Sequence, residues 1–132
     1  MERGNVLVVD DDDHFRKLLK CVIEQEEVGV DAASNGLEAL GMLKKGGYGL
    51  MITDLNMPGL NGLELSEEAK RLYPKLRIVM ITGDASFVVE REASRIGISP
   101  VLRKPCRPED ILSIVWWYSR KARVPRGLPL HH

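Results

Sequence analysis

Short apolar runs alternate with longer segments of helical periodicity along most of the chain, and this alternation constrains the fold more than any other feature. The apolar runs are rich in β-branched residues and too short for helices, so they predict strands. Parallel strands are joined by long crossovers, usually helices, and the alternation therefore predicts a parallel sheet covered on both faces. The predicted strands cover residues 6–9, 28–33, 50–53, 77–82 and 100–102.

Helices are predicted between these strands and after the last one. Apolar residues recur there at intervals of three and four, which is typical of helices that bury one face. Asp12 and Asp13 are both candidates for the residue that caps the first helix. The predicted helices cover about residues 14–26, 37–45, 62–72, 85–96 and 108–123. The pattern predicts a single (βα)5 domain of the α/β class over residues 1–123.

Residues 124–132 have no periodicity and contain two Pro, one Gly and a terminal pair of His. We expect this segment to be a C-terminal linker or the remnant of an expression tag, and we exclude it from the predicted fold.

The charges of the chain are balanced, with 19 Lys and Arg against 19 Asp and Glu in 132 residues. No net field therefore favours nucleic acid or a membrane as a partner of this domain. Cys21 and Cys106 have neither the spacing of a disulfide framework nor a neighbouring His for zinc. No apolar run approaches the length of a membrane-spanning helix. We therefore expect a cytoplasmic protein with reduced thiols.

Polar and charged side chains follow four of the five predicted strands. Asp10 and Asp11 follow the first strand, Asp54 the third, Thr82 ends the fourth, and Lys104 comes after the fifth. Because ligands of open parallel sheets bind outside the carboxyl ends of the strands, we expect these side chains to form one site.

The chemistry of this predicted site is that of phosphoryl transfer. Two carboxylates a few Å apart repel each other by roughly 4 kcal/mol at an effective dielectric constant of about 20, so a cation is needed. Oxygen ligands with room for water favour Mg²⁺. Lys104 adds positive charge, the Thr82 hydroxyl can donate to a phosphoryl oxygen, and Asp54, at the end of a central strand, is the predicted nucleophile. The sequence has no glycine-rich nucleotide loop and no Ser-His-Asp arrangement.

The motifs resemble those of the receiver domains of two-component response regulators, typified by the chemotaxis response regulator. The resemblance covers about residues 4–122. Its four motifs occur in the family's order and spacing: the acidic pair in 8–11, the phosphoacceptor loop in 54–62, the switch threonine in 81–83 and the Lys-Pro pair at 104–105. It implies the flavodoxin-like strand order 2-1-3-4-5, with helices on both faces.

The resemblance also implies roles for individual residues. Asp54 would accept a phosphoryl group from the phosphohistidine of a sensor histidine kinase or phosphotransfer protein, and the chain would catalyse only its own phosphorylation and dephosphorylation. Thr82 and Lys104 would contact the phosphoryl group, and the peptide before Pro105 would be cis. The implied Mg²⁺ ligands are Asp11 and Asp54 directly, Asn56 through its backbone carbonyl, and Asp10 mainly through a bound water.

One position departs from the family pattern. Val101 stands three residues before Lys104, where the family usually has Tyr or Phe. The aromatic residue of the standard output switch is therefore missing. The phosphorylation chemistry should survive this change, whereas the route to an output domain or a second copy, through helix 4, strand 5 and helix 5, stays open.

Two alternatives to a phosphorylation switch remain at this stage. The first is an interaction module that docks its partner whether or not it is phosphorylated, motivated by Val101 and by the aromatic residues of the fifth helix. The second is a metal-dependent phosphatase with an Asp nucleophile, which needs an acid-base Asp two residues later, where this chain has Asn56.

Overall fold

Strands and helices alternate throughout the computed structural model, which describes residues 5–84, 86–98 and 100–120, with side chains up to Ser119. The elements are β1 (Asn5–Val9), α1 (Asp13–Glu24), β2 (Val30–Ala33), α2 (Gly36–Lys45), β3 (Tyr48–Thr53), α3 (Gly62–Leu72), β4 (Arg77–Thr82), α4 (Phe87–Ile96), β5 (Val101–Arg103) and α5 (Pro108–Arg120).

The strands form one parallel sheet in the order β2-β1-β3-β4-β5. The predicted α/β fold and its flavodoxin-like strand order are confirmed. Strands β1, β3 and β4 lie inside the sheet, and their side chains are almost all buried. Because the strands are parallel, their carboxyl ends meet at one edge of the sheet, and the loops at that edge carry the polar residues singled out above.

Each face of the sheet has its own apolar cluster. Neighbouring residues of a strand point to opposite faces, so Met51 packs towards α2, α3 and α4, whereas Ile52 packs towards α1 and α5. Helices therefore cover both faces, and the domain gains most of its stability from burial on the two sides of β1, β3 and β4.

Four strands differ slightly from their predicted bounds, and only β4 matches. Strand β2 begins at Val30 and not at residue 28, because Glu27 takes a left-handed backbone conformation, with φ of 58°, after the end of α1. Strand β3 begins at Tyr48, two residues earlier than predicted. The Tyr48 hydroxyl donates to Asp31 Oδ2 at 2.6 Å. Strand β1 begins one residue earlier than predicted, and β5 lies one residue later.

The helices agree with their predicted positions to within about a turn, and α3 has the predicted bounds. Of the two cap candidates, Asp12 is the residue that caps α1, since its carboxylate accepts from the backbone N–H groups of His14 and Phe15. Helix α1 ends at Glu24, two residues early, and α4 begins at Phe87 behind its cap Ser86. Predicted helical positions 85 and 121–123, and the tail 124–132, lie outside the described residues.

Within those residues, none of the helices is long and apolar enough to cross a membrane.

Candidate functional site

Asp10 stands at the carboxyl end of β1 and is almost fully buried. One carboxylate oxygen, Oδ1, accepts from the backbone N–H of Asp12 at 2.8 Å. The Asp10 backbone carbonyl accepts from the guanidinium of Arg16 at 2.7 Å. The turn from β1 into α1 therefore fixes one carboxylate oxygen and the backbone carbonyl of Asp10, and the other carboxylate oxygen, Oδ2, faces Lys104.

Asp54 follows the central strand β3 and is also buried. Its Oδ1 accepts from the backbone N–H of Leu55 at 2.7 Å, and its own backbone N–H donates to the Val9 carbonyl at 3.0 Å. Behind it, Gly62 at the start of α3 packs against the chain so closely that a Cβ there would lie 2.1 Å from the Asp54 carbonyl oxygen. Glycine is required at this position, because any side chain would displace the Asp54 backbone.

Lys104 brings a positive charge to both carboxylates. Its Nζ lies 3.1 Å from Asp10 Oδ2 and 3.4 Å from Asp54 Oδ2. Its backbone N–H donates to the Thr82 carbonyl at 2.9 Å, which ties the end of β5 to the end of β4. The peptide between Lys104 and Pro105 is cis, as the resemblance implied.

The acidic side chains at this edge form a cluster able to hold a metal ion. Asp10, Asp11 and Asp54 each offer a carboxylate oxygen, and these oxygens lie within 4.8 Å of one another. Asp10 and Asp54 are buried, whereas Asp11 is exposed. Such a set of oxygen ligands, part buried and part open to solvent, suits a hard divalent cation that keeps some of its waters.

The charges of the site perturb one another. Burial and the nearby Asp10 carboxylate raise the pKa of Asp54, and Lys104 and the Leu55 N–H only partly oppose this effect. Burial lowers the pKa of Lys104, but its contacts with Asp10 and Asp54 outweigh burial and raise it overall. One cation among three carboxylates leaves the pocket negative, and an additional positive charge fits it.

Two further predicted site residues, Thr82 and Asn56, lie in different environments. Thr82 is fully buried at the end of β4, and its hydroxyl oxygen accepts from the backbone N–H of Asp84 at 3.0 Å. Asn56, two residues after Asp54, is exposed in the loop before α3. The structure thus brings Asp10, Asp11, Asp54 and Lys104 together, with Thr82 at the end of the strand beside Asp54.

Two further residues belong to this edge and were not singled out as site residues by the sequence. The ring of Phe15 lies under the Lys104 ammonium group, with Nζ 4.4 Å from the ring centroid. Arg16 binds the Asp10 carbonyl as described above. In the sequence, Phe15 belongs to the apolar stripe of the first helix, and nothing in the spacing of Phe15 or Arg16 connects them to residue 104.

Val101, at the start of β5, is half-buried and packs against the apolar cluster beneath α2, α3 and α4. The exposed apolar residues of this region lie instead at the start of α4, where Phe87 is 72% and Val88 66% exposed.

A doubly wound sheet of order 2-1-3-4-5, with an acidic cluster and one lysine at the carboxyl ends of its strands, defines a small flavodoxin-like α/β domain. The comparison with known families makes this specific. Residues 6–116 match the model of the response regulator receiver domain. The chain belongs to this family and is a receiver domain of the two-component type.

Individual relatives agree with this assignment. The transcriptional regulatory protein YkoG of Bacillus subtilis is 29% identical over 113 residues, which are 86% of this chain and 50% of the relative. The chemotaxis protein CheY4 of Vibrio cholerae has a TM-score of 0.83 at 28% identity, covering 89% of this chain and 99% of CheY4. The Saccharomyces cerevisiae Ssk1 receiver domain, solved with the phosphotransfer protein Ypd1, shares the fold with a TM-score of 0.83 at 24% identity, covering 94% of each chain.

The chain spans only part of the regulatory proteins that it matches, namely 50% of YkoG, 30% of YesN and 45% of SrrA. The functions of the unmatched parts of those proteins are not assigned to this chain.

Proposed function

We propose that this receiver domain is a phosphorylation switch that accepts a phosphoryl group on Asp54 in the presence of Mg²⁺. The observation that carries the proposal is the position of the Asp54 carboxylate. It is buried at the end of the central strand, with Lys104 Nζ 3.4 Å from Oδ2 and two further carboxylates within metal-binding distance. A nucleophile held in this way needs little rearrangement to meet a phosphoryl group.

Asp10, Asp11, Asp54 and the backbone carbonyl of Asn56 would hold the Mg²⁺, Asp10 mainly through water. The bound ion supplies positive charge against the phosphoryl oxygens and relieves the repulsion between the carboxylates. The acidic cluster fits this role, because the pKa of Asp54 is raised by burial and by Asp10 in the absence of such a charge.

In the transfer step, Asp54 Oδ2 forms a bond to phosphorus as the bond from phosphorus to the imidazole nitrogen of the donor breaks. The nitrogen keeps the electron pair of the broken bond. Oδ1 stays bound to the Leu55 N–H, which orients the carboxylate during attack. Lys104 exchanges its contact with Asp54 for one with a phosphoryl oxygen, so that the charge arriving at the site is met by an ammonium group already in place.

The Thr82 hydroxyl is suited to bind the phosphoryl group. Its oxygen accepts from the Asp84 N–H, so its hydrogen is left to donate to a phosphoryl oxygen. Thr82 is joined by its carbonyl to the Lys104 N–H. A movement of Thr82 towards the phosphoryl group would therefore pull on the loops that precede α4 and follow β5, and would change their surface.

The phosphoryl donor would be a phosphohistidine on a sensor histidine kinase or a phosphotransfer protein, acting in the cytoplasm. Membership of the receiver family supports this class of donor, and the complex of Ssk1 with Ypd1 is an example on the same fold. The output would pass through α4, β5 and α5 to an output domain or to a second copy. The exposed Phe87 and Val88 at the start of α4 support this face as the docking surface.

The proposal is tested by incubating the purified chain with phosphoramidate and Mg²⁺ and measuring its intact mass. One phosphoryl group adds about 80 Da. We expect this mass on the unsubstituted chain and none on D54N, which cannot form the acyl phosphate. E90Q is the control, because Glu90 is an exposed carboxylate of α4 outside the metal-binding cluster and its side chain makes no ion pair or hydrogen bond among the described residues, and it should be labelled as fully as the unsubstituted chain. Full labelling of D54N would contradict the assignment.

A further inference from the structure

The ring of Phe15 gives Lys104 a partner that the proposed chemistry does not use. Lys104 Nζ lies 4.4 Å from the ring centroid, within the distance at which the π face of an aromatic ring attracts a cation. The ring is half-buried and packs against the apolar cluster beneath α1 and α5, so its place is set by the fold. We propose that Phe15 is a positioning residue for Lys104, holding its ammonium group at the phosphorylation pocket through the face of its ring.

Phe15 belongs to a closed circuit of contacts that returns to the acidic cluster. Asp10 Oδ1 accepts from the Asp12 N–H at 2.8 Å, and the Asp12 carboxylate accepts from the Phe15 N–H at 3.2 Å. The face of the Phe15 ring contacts the Lys104 ammonium group, which in turn donates to Asp10 Oδ2 at 3.1 Å. The Asp12 cap of α1 therefore helps to position both groups that contact the Lys104 ammonium, namely the Asp10 carboxylate and the Phe15 ring.

The contact with the ring is most important for the position of Lys104 when the carboxylates bind a cation or the phosphoryl group. Lys104 is held by Asp10 and Asp54, the same side chains that would hold a cation and, for Asp54, the phosphoryl group. Its long stem has several rotatable bonds, and loss of these ion pairs would let the ammonium group turn to solvent, to which the side chain is already 25% exposed. The ring has no formal charge and binds neither the metal nor phosphate, so it can keep Lys104 in place throughout.

This inference rests on the proposed function, since it assumes that Lys104 serves phosphorylation of Asp54. It goes beyond it in assigning a role that packing alone does not require. An aliphatic residue of similar volume would fill the place of Phe15 beneath α1, but it offers no negative face to an ammonium group. The substitution F15L removes the ring and keeps the apolar volume, whereas F15Y keeps the ring.

The contact itself is read by NMR on the metal-free chain, without any phosphodonor. Protons above the face of an aromatic ring are shifted upfield by its ring current. We expect the ε-methylene protons of Lys104 to be shifted upfield in the unsubstituted chain and in F15Y, and to move to an ordinary lysine position in F15L. Lys104 is assigned by the loss of its signal in K104A.

The consequence is read as the rate of labelling by phosphoramidate at saturating Mg²⁺. A small donor is used so that no protein partner touches α1. A partly exposed cation–π contact corresponds to about a two- to fivefold change in rate. We expect F15L to be slower by this factor and F15Y to recover most of the lost rate. F15M, which also lacks the ring, should behave like F15L and replaces it if F15L does not fold.

The control is an exposed apolar residue of the same helix. Leu18 lies one turn after Phe15 on α1, is 49% exposed and belongs to neither apolar cluster. We expect L18A to label at the unsubstituted rate.

Three results would overturn the inference: an unchanged Lys104 shift in F15L, an unchanged rate in F15L, or a rate lost equally in F15L and F15Y. Failure of the proposed function looks different, because the unsubstituted chain and all the variants would then be equally inert towards phosphoramidate.

Discussion

The Asp54 carboxylate is buried beside a second carboxylate, and both features disfavour its charged form. They raise the pKa of Asp54 even though Lys104 and the Leu55 N–H stabilise the carboxylate. The proposed nucleophile, which must be ionised to attack, is thus kept in surroundings that favour its protonated form. The ionised Asp54 carboxylate therefore lowers the stability of the fold, and a bound cation would offset this effect.

This conflict predicts that the neutral variant D54N unfolds less readily than the unsubstituted chain in metal-free buffer. A pKa raised in the folded state means that protonation of Asp54 favours folding. This contribution is fully present below the ordinary value of 3.8 and is lost as the pH rises through the raised pKa. We expect D54N to be more stable by on the order of 1 kcal/mol at pH 7, and the difference to shrink as the pH falls.

Urea denaturation of both chains with a chelator, at several pH values, measures this difference. The exposed variant E90Q serves as the control and should stay within about 0.5 kcal/mol of the unsubstituted chain. A D54N chain that is less stable at pH 7 would contradict the account of the site's electrostatics.

At the residue scale, the sequence predicted those members of the candidate site that can be recognised from their position relative to the strands. Asp10, Asp11, Asp54, Thr82 and Lys104 each end or follow a strand, and the parallel sheet brings such positions to one edge. Phe15 could not be found in this way. Its contact with Lys104 joins residues far apart in sequence, and an aromatic residue on an apolar helical stripe already has an explanation in packing.

At the scale of elements, the approach of α3 to the end of β3 fixes the backbone of Asp54. Gly62 opens α3 behind a capping box in which Asn61 and Glu64 bind each other's backbone N–H groups. The Gly62 N–H donates to the Leu55 carbonyl at 2.7 Å. The helix start is thus attached to the residue next to Asp54, and it determines how far that loop can move.

The substitution G62A should destabilise the domain. Its Cβ would lie 2.1 Å from the Asp54 carbonyl oxygen and 2.9 Å from Leu55 Cα, so the backbone must shift. We expect a loss of about 2 kcal/mol in the free energy of unfolding, the usual cost of overpacking. G41A is the matched control, because Gly41 lies within α2 with no atom near the added Cβ.

The control substitution should have the opposite sign, since Ala favours a helix over Gly by roughly 0.5–1 kcal/mol. Urea denaturation of G62A, G41A and the unsubstituted chain makes the comparison. Equal stability of G62A and the unsubstituted chain would show that the loop carrying Asp54 is free to yield.

The sequence predicted elements well where burial and periodicity are strong. Strand β4 and helix α3 have the predicted bounds, because an uninterrupted apolar run and a helix between Gly62 and Pro74 leave little choice. The errors lie at ends governed by local contacts. Tyr48 belongs to β3 although Gly49 follows it. Glu27, before β2, has a left-handed backbone conformation, which a glutamate side chain does not predict.

For the molecule as a whole, the acidic edge should link metal binding to the stability of the fold. A ligand that binds only the folded state raises the free energy of unfolding, by about 2.7 kcal/mol at one hundred times its dissociation constant. We therefore expect Mg²⁺ to raise the urea midpoint of the unsubstituted chain in a concentration-dependent way. The exposed Asp11 allows a clean test, because D11N removes one carboxylate of the cluster and keeps the buried Asp10 and Asp54.

D11N should lose most of the Mg²⁺ effect, and E90Q, which neutralises an exposed carboxylate of α4 outside the cluster, should retain it. An equal response of the two variants to Mg²⁺ would mean that the ion acts elsewhere on the surface.

The order of the strands, and not any single residue, places the acidic loop after β1 beside the loop after β3 and puts β4 and β5 next to them. This arrangement brings the acidic cluster and Lys104 together within a domain that matches only 50% of YkoG. In the proposed function, the connection from this site to an output runs through the face of α4, β5 and α5.

The central claim is that Asp54 is the residue that carries the phosphoryl group, and chemical mapping of the labelled chain tests it most directly. Borohydride reduces an aspartyl phosphate to homoserine, which peptide mass spectrometry locates after digestion. The chain labelled with phosphoramidate and Mg²⁺ should yield homoserine at position 54 and at no other aspartate. Homoserine at Asp10, Asp11 or another position, or a labelled chain that yields none, would contradict the account.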